Sequence, residues 1–149
     1  MMKTIPLEPL SGAGPVRLTA RRSEVLDALG PPDASFKKTP HSEHSTDSWH
    51  SGALQVFYSG LTPAVEYIEI SVGTELEAAL FGMNVFATNA EDLLRLLAEK
   101  TPVVEEESGH SYLYPQFELS LWREDRQAKA FSTVGIGVHG YYSGANHDA

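Results

Sequence analysis

The chain has 149 residues, 42% of them hydrophobic, and no cysteine. That length suits one domain, which buries roughly two-thirds of its unfolded surface and folds without metals or disulfides; the missing thiols exclude a disulfide framework, a thiol nucleophile and Cys-built zinc or iron–sulfur sites. With 11 basic against 20 acidic residues the net charge is −9, a field that repels nucleic acid and anionic membranes and attracts cationic partners.

The opening MMKTIPLEPLSGAGPVRL has no apolar run of signal-peptide length, and Pro6, Pro9 and Pro15 set residues 1–15 as an extended arm. No later stretch approaches the ~18 apolar residues of a membrane span, so the expectation is a soluble, cytoplasmic protein. TARRSEVLDALGPPD then reads as a short helix: Val25, Leu26 and Leu29 share a face, Thr19 or Ser23 caps it, and Gly30-Pro31-Pro32 stops it. Residues 30–48 read as loop. ALQVFY and AVEYIEIS alternate in polarity across the turn SGLTP and predict an antiparallel hairpin, with Leu54, Val56, Tyr58, Ile68 and Ile70 inward. AALFGMNVF predicts a strand pair or a bent strand around Gly82.

TNAEDLLRLLAEKTP predicts a second helix. Thr88 or Asn89 caps it, Glu91 and Asp92 suit its positive first turn, Leu93, Leu94 and Leu97 form the apolar face, and Pro102 follows. PVVEEE and HSYLYP predict short strands. QFELSLWRE predicts a strand with Phe117, Leu119 and Leu121 inward and Glu118, Ser120 and Trp122 outward. AFSTVGIGV is the last strand, with Val134, Ile136 and Val138 inward, and the tail 143–149 reads as frayed.

The two halves repeat one plan of helix, loop, strand, turn and strand. An offset of 68 lays Val25 and Leu29 on Leu93 and Leu97; 63 lays Leu54, Val56 and Tyr58 on Phe117, Leu119 and Leu121, and Trp49 on Tyr112; 66 lays Ile68 and Ile70 on Val134 and Ile136. The predicted architecture is a single α+β domain over 1–149. Two similar helix–loop–β units, 19–71 and 88–140, form one antiparallel sheet with helices on one face and the other face free for a partner.

Gly14, Leu18, Glu24, Val25, Leu29, Gly30 and Pro32 in GAGPVRLTARRSEVLDALGPPD resemble the opening of the small outer-membrane-assembly lipoprotein family, and the tandem helix-plus-sheet plan is similar to the beta-lactamase inhibitory protein type. The second half also resembles small bacterial proteins of immunity type. The chain departs from the envelope families in having no lipobox, secretion signal or cysteine pair. The resemblance implies a binding scaffold rather than a reaction.

Candidate chemistry is sparse. His41, His44 and His50 with Glu43 and Asp47 offer ligands suited to zinc, nickel or copper, but Pro40 and the Ser/Thr/Asp run make this a loop, and the bland reading is a solvated, pH-sensitive segment. GIGVHG has the spacing of a dinucleotide fingerprint, yet it lies in a terminal strand with no helix after it, so its glycines are read as permitting close packing or a bulge. Glu105, Glu106 and Glu107 cannot all face one way on a strand and read as a solvated acidic patch. Phe57, Tyr67 and Trp122 point away from the helix side beside Glu69 and Glu118. Aromatics among carboxylates suit a contact surface for a cationic protein, or else pack beneath a loop. The expected function is therefore a non-catalytic binding protein without cofactor, of immunity or inhibitor type. Phe57, Tyr67, Glu69, Glu118, Trp122, Glu105 and Glu106 would contact a cationic toxin or enzyme. The alternatives are a metal- or ligand-binding protein using the histidine loop, and a homodimer joined through sheet edges.

Overall fold

In the computed structural model, which describes residues 3–142, the proline-rich amino terminus is not a free arm. Strand β1 (Lys3–Glu8) runs parallel to β8 (Leu76–Leu80), with Ile5 opposite Ala78 and Leu7 opposite Leu80. The short strands β2 (Gly12–Ala13), β3 (Val16–Arg17) and β9 (Met83–Asn84) extend the pair into a five-stranded sheet of order β3-β2-β1-β8-β9. Ile5, Leu7, Ala13 and Val16 are buried in the core, so the arm is held by side-chain burial that its polar punctuation hides. The expected frayed tail, 143–149, lies outside the described residues.

The larger sheet has eight antiparallel strands in the order β10-β11-β12-β13-β7-β6-β5-β4. Its members are β4 (Ala34–Phe36), β5 (Thr46–Trp49), β6 (Leu54–Ser59), β7 (Ala64–Ser71), β10 (Val104–Glu107), β11 (Ser111–Tyr114), β12 (Leu119–Trp122) and β13 (Thr133–Gly137). The polarity alternation in β6, β7, β12 and β13 reads out as expected: Leu54, Val56, Ile68, Ile70, Leu119, Leu121, Val134 and Ile136 are all buried. Each such side chain contributes about 1.5–3 kcal/mol of transfer free energy. Each helix precedes four consecutive strands that occupy one half of this sheet, and β7 and β13 meet at its centre with Glu69 opposite Gly135. The mixed architecture is thus two sheets, not one, with two short helices.

Helix α1 (Arg22–Leu29) is opened by neither Thr19 nor Ser23. Thr19 sits at φ 70 and donates its N–H to Val65 O, and the cap is Arg21, whose N–H donates to the Glu24 side chain at 2.9 Å. Helix α2 (Ala90–Ala98) starts as read, with Asn89 Oδ1 accepting the Glu91 N–H at 2.9 Å. Val25, Leu93 and Leu97 join the same apolar core as both sheets. No helix among the described residues is long and apolar enough to cross a membrane.

The loop read over 30–48 contains two strands, β4 and β5. Strand β5 has the sequence TDSW, and all four residues are buried. Its Asp47 is fully enclosed and accepts hydrogen bonds from Arg22 Nε (2.8 Å), Arg22 Nη2 (3.1 Å), the Ser35 hydroxyl (2.6 Å) and the Tyr58 hydroxyl (2.8 Å). Burial pushes the Asp47 carboxyl up, but these donors outweigh it and hold the group below the usual carboxylate range. Trp49 is buried beside it and donates Nε1–H to Gly30 O at 3.2 Å.

A second buried polar cluster surrounds Arg123, just past β12. Its guanidinium donates to Gly109 O (2.7 Å), Ala128 O (3.2 Å), Glu91 Oε2 (3.2 Å) and the Tyr112 hydroxyl (3.2 Å), and lies 5.5 Å from the Phe131 ring centre.

Candidate functional site: the outer face of the large sheet

The side of the eight-stranded sheet that points away from the core carries Gln55, Phe57, Tyr67, Glu69, Ser120, Trp122 and Thr133, as strand parity and pairing require. One carboxylate joins them against parity. Between Phe57 opposite Tyr67 and Tyr58 opposite Val65 the register shifts by one, so β7 carries an extra residue, Glu66. A bulge of this kind re-aims a side chain; Glu66 lines the same cleft as Tyr67 and Glu69.

Tyr67 is the centre of this face. Its ring lies flat across β13 because position 135 is glycine: a Cβ there would collide with the Tyr67 hydroxyl. The hydroxyl is 2.8 Å from Ser120 Oγ and accepts a hydrogen bond from the Tyr142 hydroxyl at 2.7 Å. Tyr141 stacks on Tyr67 with ring centres 4.6 Å apart, and Phe57 meets it edge-on at 5.7 Å. Gly137 makes room for Tyr141 in the same way, since its Cβ would come within 2.7 Å of Tyr141 Cβ. Gly135 and Gly137 of GIGVHG thus permit close packing, as the sequence reading expected. Of the aromatics read as outward, Tyr67 is 5% exposed beneath the Tyr141–Tyr142 segment, whereas Trp122 is 41% exposed.

Glu118 is a correction. It is not an outward residue of β12 but belongs to the turn before it, at φ 49, and is buried. Its Oε2 accepts the Gly140 N–H at 2.5 Å and its Oε1 the Tyr142 N–H at 2.7 Å, while its backbone oxygen accepts the Gly137 N–H at 2.9 Å. The left-handed backbone at a non-glycine residue costs energy, and the carboxylate bonds offset it. Glu118 thereby straps residues 137–142 across the sheet and positions Tyr141 and Tyr142. Truncation of this carboxylate, Glu118→Ala, is expected to speed amide exchange at Gly140 and Tyr142 by about tenfold or more, since charge-assisted hydrogen bonds are lost; unchanged exchange at both amides would show that the strap is held by other contacts.

Two clefts flank the strap. The larger, about 620 Å³, is lined by Lys38, Glu66, Tyr67, Glu69, Tyr141 and Tyr142 among others. The smaller, about 350 Å³, lies on the other side and is lined by Glu69, Glu106, Ser120, Trp122 and Tyr142 among others. Burial pushes the Glu66 and Glu69 carboxyls up; Glu43 adds to the rise at Glu66, while His44 opposes it there and Lys38 opposes it at Glu69. Burial likewise raises the Tyr67, Tyr141 and Tyr142 hydroxyls. Both carboxyls are partly desolvated acids whose charge is strengthened by a cationic neighbour. Of the acidic residues expected on this surface, Glu69 and Glu106 line clefts. Glu105 lies opposite Tyr112 and sits 3.7 Å from Arg126 Nη2, outside both clefts.

The histidines are dispersed. His44 Nε2 donates to Gly60 O at 2.6 Å, and Glu43 accepts the Gly60 N–H at 3.1 Å, so this pair pins the β6–β7 turn. His50 Nδ1 is 2.8 Å from Glu75, on the link to β8, and His41 is exposed. Among the described residues no group of three or more His, Asp or Glu side chains is placed to hold a metal ion. Compared with protein-family models, with curated proteins and with solved structures, the chain has no significant match.

Proposed function

We propose that the protein is a non-catalytic binding module that presents the outer face of its large sheet to a cationic protein, a toxin or an enzyme, and masks it by steric occlusion with electrostatic steering. The observation that carries this reading is the aromatic cleft at the sheet centre, where Tyr67, Tyr141 and Tyr142 stand beside the partly desolvated Glu66 and Glu69. Aromatic side chains offer large contact area and attract cations over their faces; the net charge of −9 favours encounter with a basic partner.

The proposal includes a scaffold built from two copies of one helix-and-four-strand unit, in the manner of the tandem inhibitory proteins that the sequence resembles. Strand pairing supports it. The offset of 66 between β7 and β13 places Glu69 on Gly135, and these two face each other, as a two-fold arrangement requires. Leu54 pairs with Ile70 and Leu119 with Ile136, so β6 maps onto β12 with an offset of 65 rather than 63. The same offset carries Asp47 to Tyr112 and Tyr58 to Arg123, so that the two buried polar clusters occupy one place in each unit. Phe57 then corresponds to Trp122, one aromatic on each wing of the outer face.

Partner capture from a lysate of the native host tests the function. The wild-type protein is expected to retain a basic protein, and Glu66→Gln combined with Glu69→Gln to retain at least about tenfold less, because close charge pairs contribute more than rim charges. Because both carboxyls titrate above the usual range, the wild type binds more strongly as pH rises through that region, and the double variant loses this dependence. Capture of no basic partner, or equal capture by wild type and double variant, sinks the reading.

A further inference from the structure

Lys38 stands on the loop that leaves β4 and reaches over the outer face. Its Nζ lies 5.0 Å from the centre of the Phe57 ring. Among the described residues it is the only lysine or arginine lining the large cleft, the small cleft, or a third cleft that adjoins the large one at Glu66 and Tyr141. It forms no ion pair within 4 Å with a described carboxylate, although Glu66 and Glu69 line the same cleft and the charge of Lys38 acts on Glu69. An ammonium group is therefore already seated over an aromatic ring at the mouth of an acidic cleft, on a chain segment whose own bonds run to Thr39, Ser42 and Gly60 rather than through Lys38.

We propose that Lys38 is an internal stand-in for the partner's cation: the cleft takes an arginine or lysine side chain from a basic protein segment, which seats over the Phe57 ring beside Tyr141 with Glu66 and Glu69 as counter-charges and displaces Lys38. This inference rests on the binding reading above and names the chemistry of the group recognised. Charge complementarity argues for this occupant over an apolar one. The ring faces and carboxylates favour a cation at the same spot, and the only fixed positive charge in the way is on a long, flexible stem that solvent can accept without cost to the core.

The neighbouring Lys37 supplies the control. It is exposed, carries the same charge, and does not line the three clefts. Binding of a capped hexa-arginine peptide would be measured by titration calorimetry for wild type, Lys38→Ala and Lys37→Ala at one ionic strength. The expected result is an affinity about fivefold or more higher for Lys38→Ala and less than about twofold changed for Lys37→Ala, since only the former removes a competing cation from the cleft while both change net charge equally. Equal gains for the two variants would show that net charge alone acts, and would overturn the stand-in role while leaving the binding reading to its partner-capture test. Weaker binding by Lys38→Ala would mean that Lys38 itself contacts the peptide and would likewise overturn it. Absence of peptide binding by wild type and Lys38→Ala alike would overturn the assignment of the cleft to a basic side chain.

Discussion

Replacing Asp47 by alanine is expected to lower stability by about 3 kcal/mol, which for a chain of this size is a fall in Tm of about 6–12 °C. The carboxylate is fully enclosed and serves four donors from three elements: Arg22 in α1, Ser35 in β4 and Tyr58 in β6. Without it the buried Tyr58 hydroxyl loses its acceptor, and the link that ties α1 to the sheet is lost. Arg22→Ala is the more telling variant. In the wild type the Asp47 carboxyl is held below its ordinary value, so its contribution is fully present above the unfolded carboxylate pKa of about 3.9 and is lost as pH falls toward the folded value. Removing Arg22 takes away the strongest of the donors that oppose burial, so the folded carboxyl rises from its wild-type position while Ser35 and Tyr58 still hold it. The deficit against wild type is therefore smallest at low pH, where both carboxyls are protonated, and grows as pH rises through the two folded values. Thermal unfolding of wild type, Arg22→Ala and Asp47→Ala from about pH 2.5 to pH 7 measures both effects. An Arg22→Ala deficit that does not grow between about pH 2.5 and pH 7 would contradict the assignment of Arg22 as the counter-charge of a buried anion.

This cluster also explains where sequence reading ends. Strands β6, β7, β12 and β13 alternate in polarity because one face of each meets the core, and that period is visible in a single stretch of chain. Strand β5 reads TDSW, and one of its two inward residues, Asp47, is a carboxylate made tolerable by partners 11, 12 and 25 positions away; no local pattern marks it as buried. The parallel pairing of β1 with β8 joins segments more than 70 residues apart, and nothing in KTIPLE names that partner. At the outer face, the parity of Tyr67 and Glu69 was legible, as was the packing use of GIGVHG. Two features were not: the one-residue bulge that turns Glu66 outward, and the left-handed turn that takes Glu118 from the strand and makes it the strap's anchor. Both depend on hydrogen-bond register, which polarity does not encode. Tyr141 and Tyr142, two of the three tyrosines in the cleft's wall, lie in a glycine- and polar-rich segment, and Glu118, more than 20 residues earlier, holds them in place.

Arg123 is the residue that sequence patterning missed most completely, and its replacement by methionine is expected to cost about 3–5 kcal/mol. The guanidinium is 2% exposed and follows a strand in which its neighbour Trp122 faces out. Two accounts of its role differ in what they predict. If the ion pair with Glu91 dominates, Glu91→Ala should cost as much as Arg123→Met. The geometry argues otherwise: the Glu91 side chain is 65% exposed and its contact is 3.2 Å long, whereas Nε–H to Gly109 O is 2.7 Å and wholly buried. An exposed carboxylate contributes at most about 1 kcal/mol. Loss of the guanidinium instead leaves the Gly109 and Ala128 carbonyls and the Tyr112 hydroxyl short of a donor, each at about 1–3 kcal/mol. Methionine keeps much of the volume, so the deficit isolates the polar contacts from cavity formation. Denaturant unfolding should therefore give Arg123→Met a loss several times that of Glu91→Ala, and Arg123→Lys an intermediate one, since an ammonium cannot span three acceptors as a planar fork does. Equal losses for Arg123→Met and Glu91→Ala would transfer the role to the ion pair. The expected ordering makes Arg123 a buried clamp that joins the β10–β11 turn, the 124–128 segment and the start of α2, the same duty that Asp47 performs in the other half of the sheet with the opposite charge.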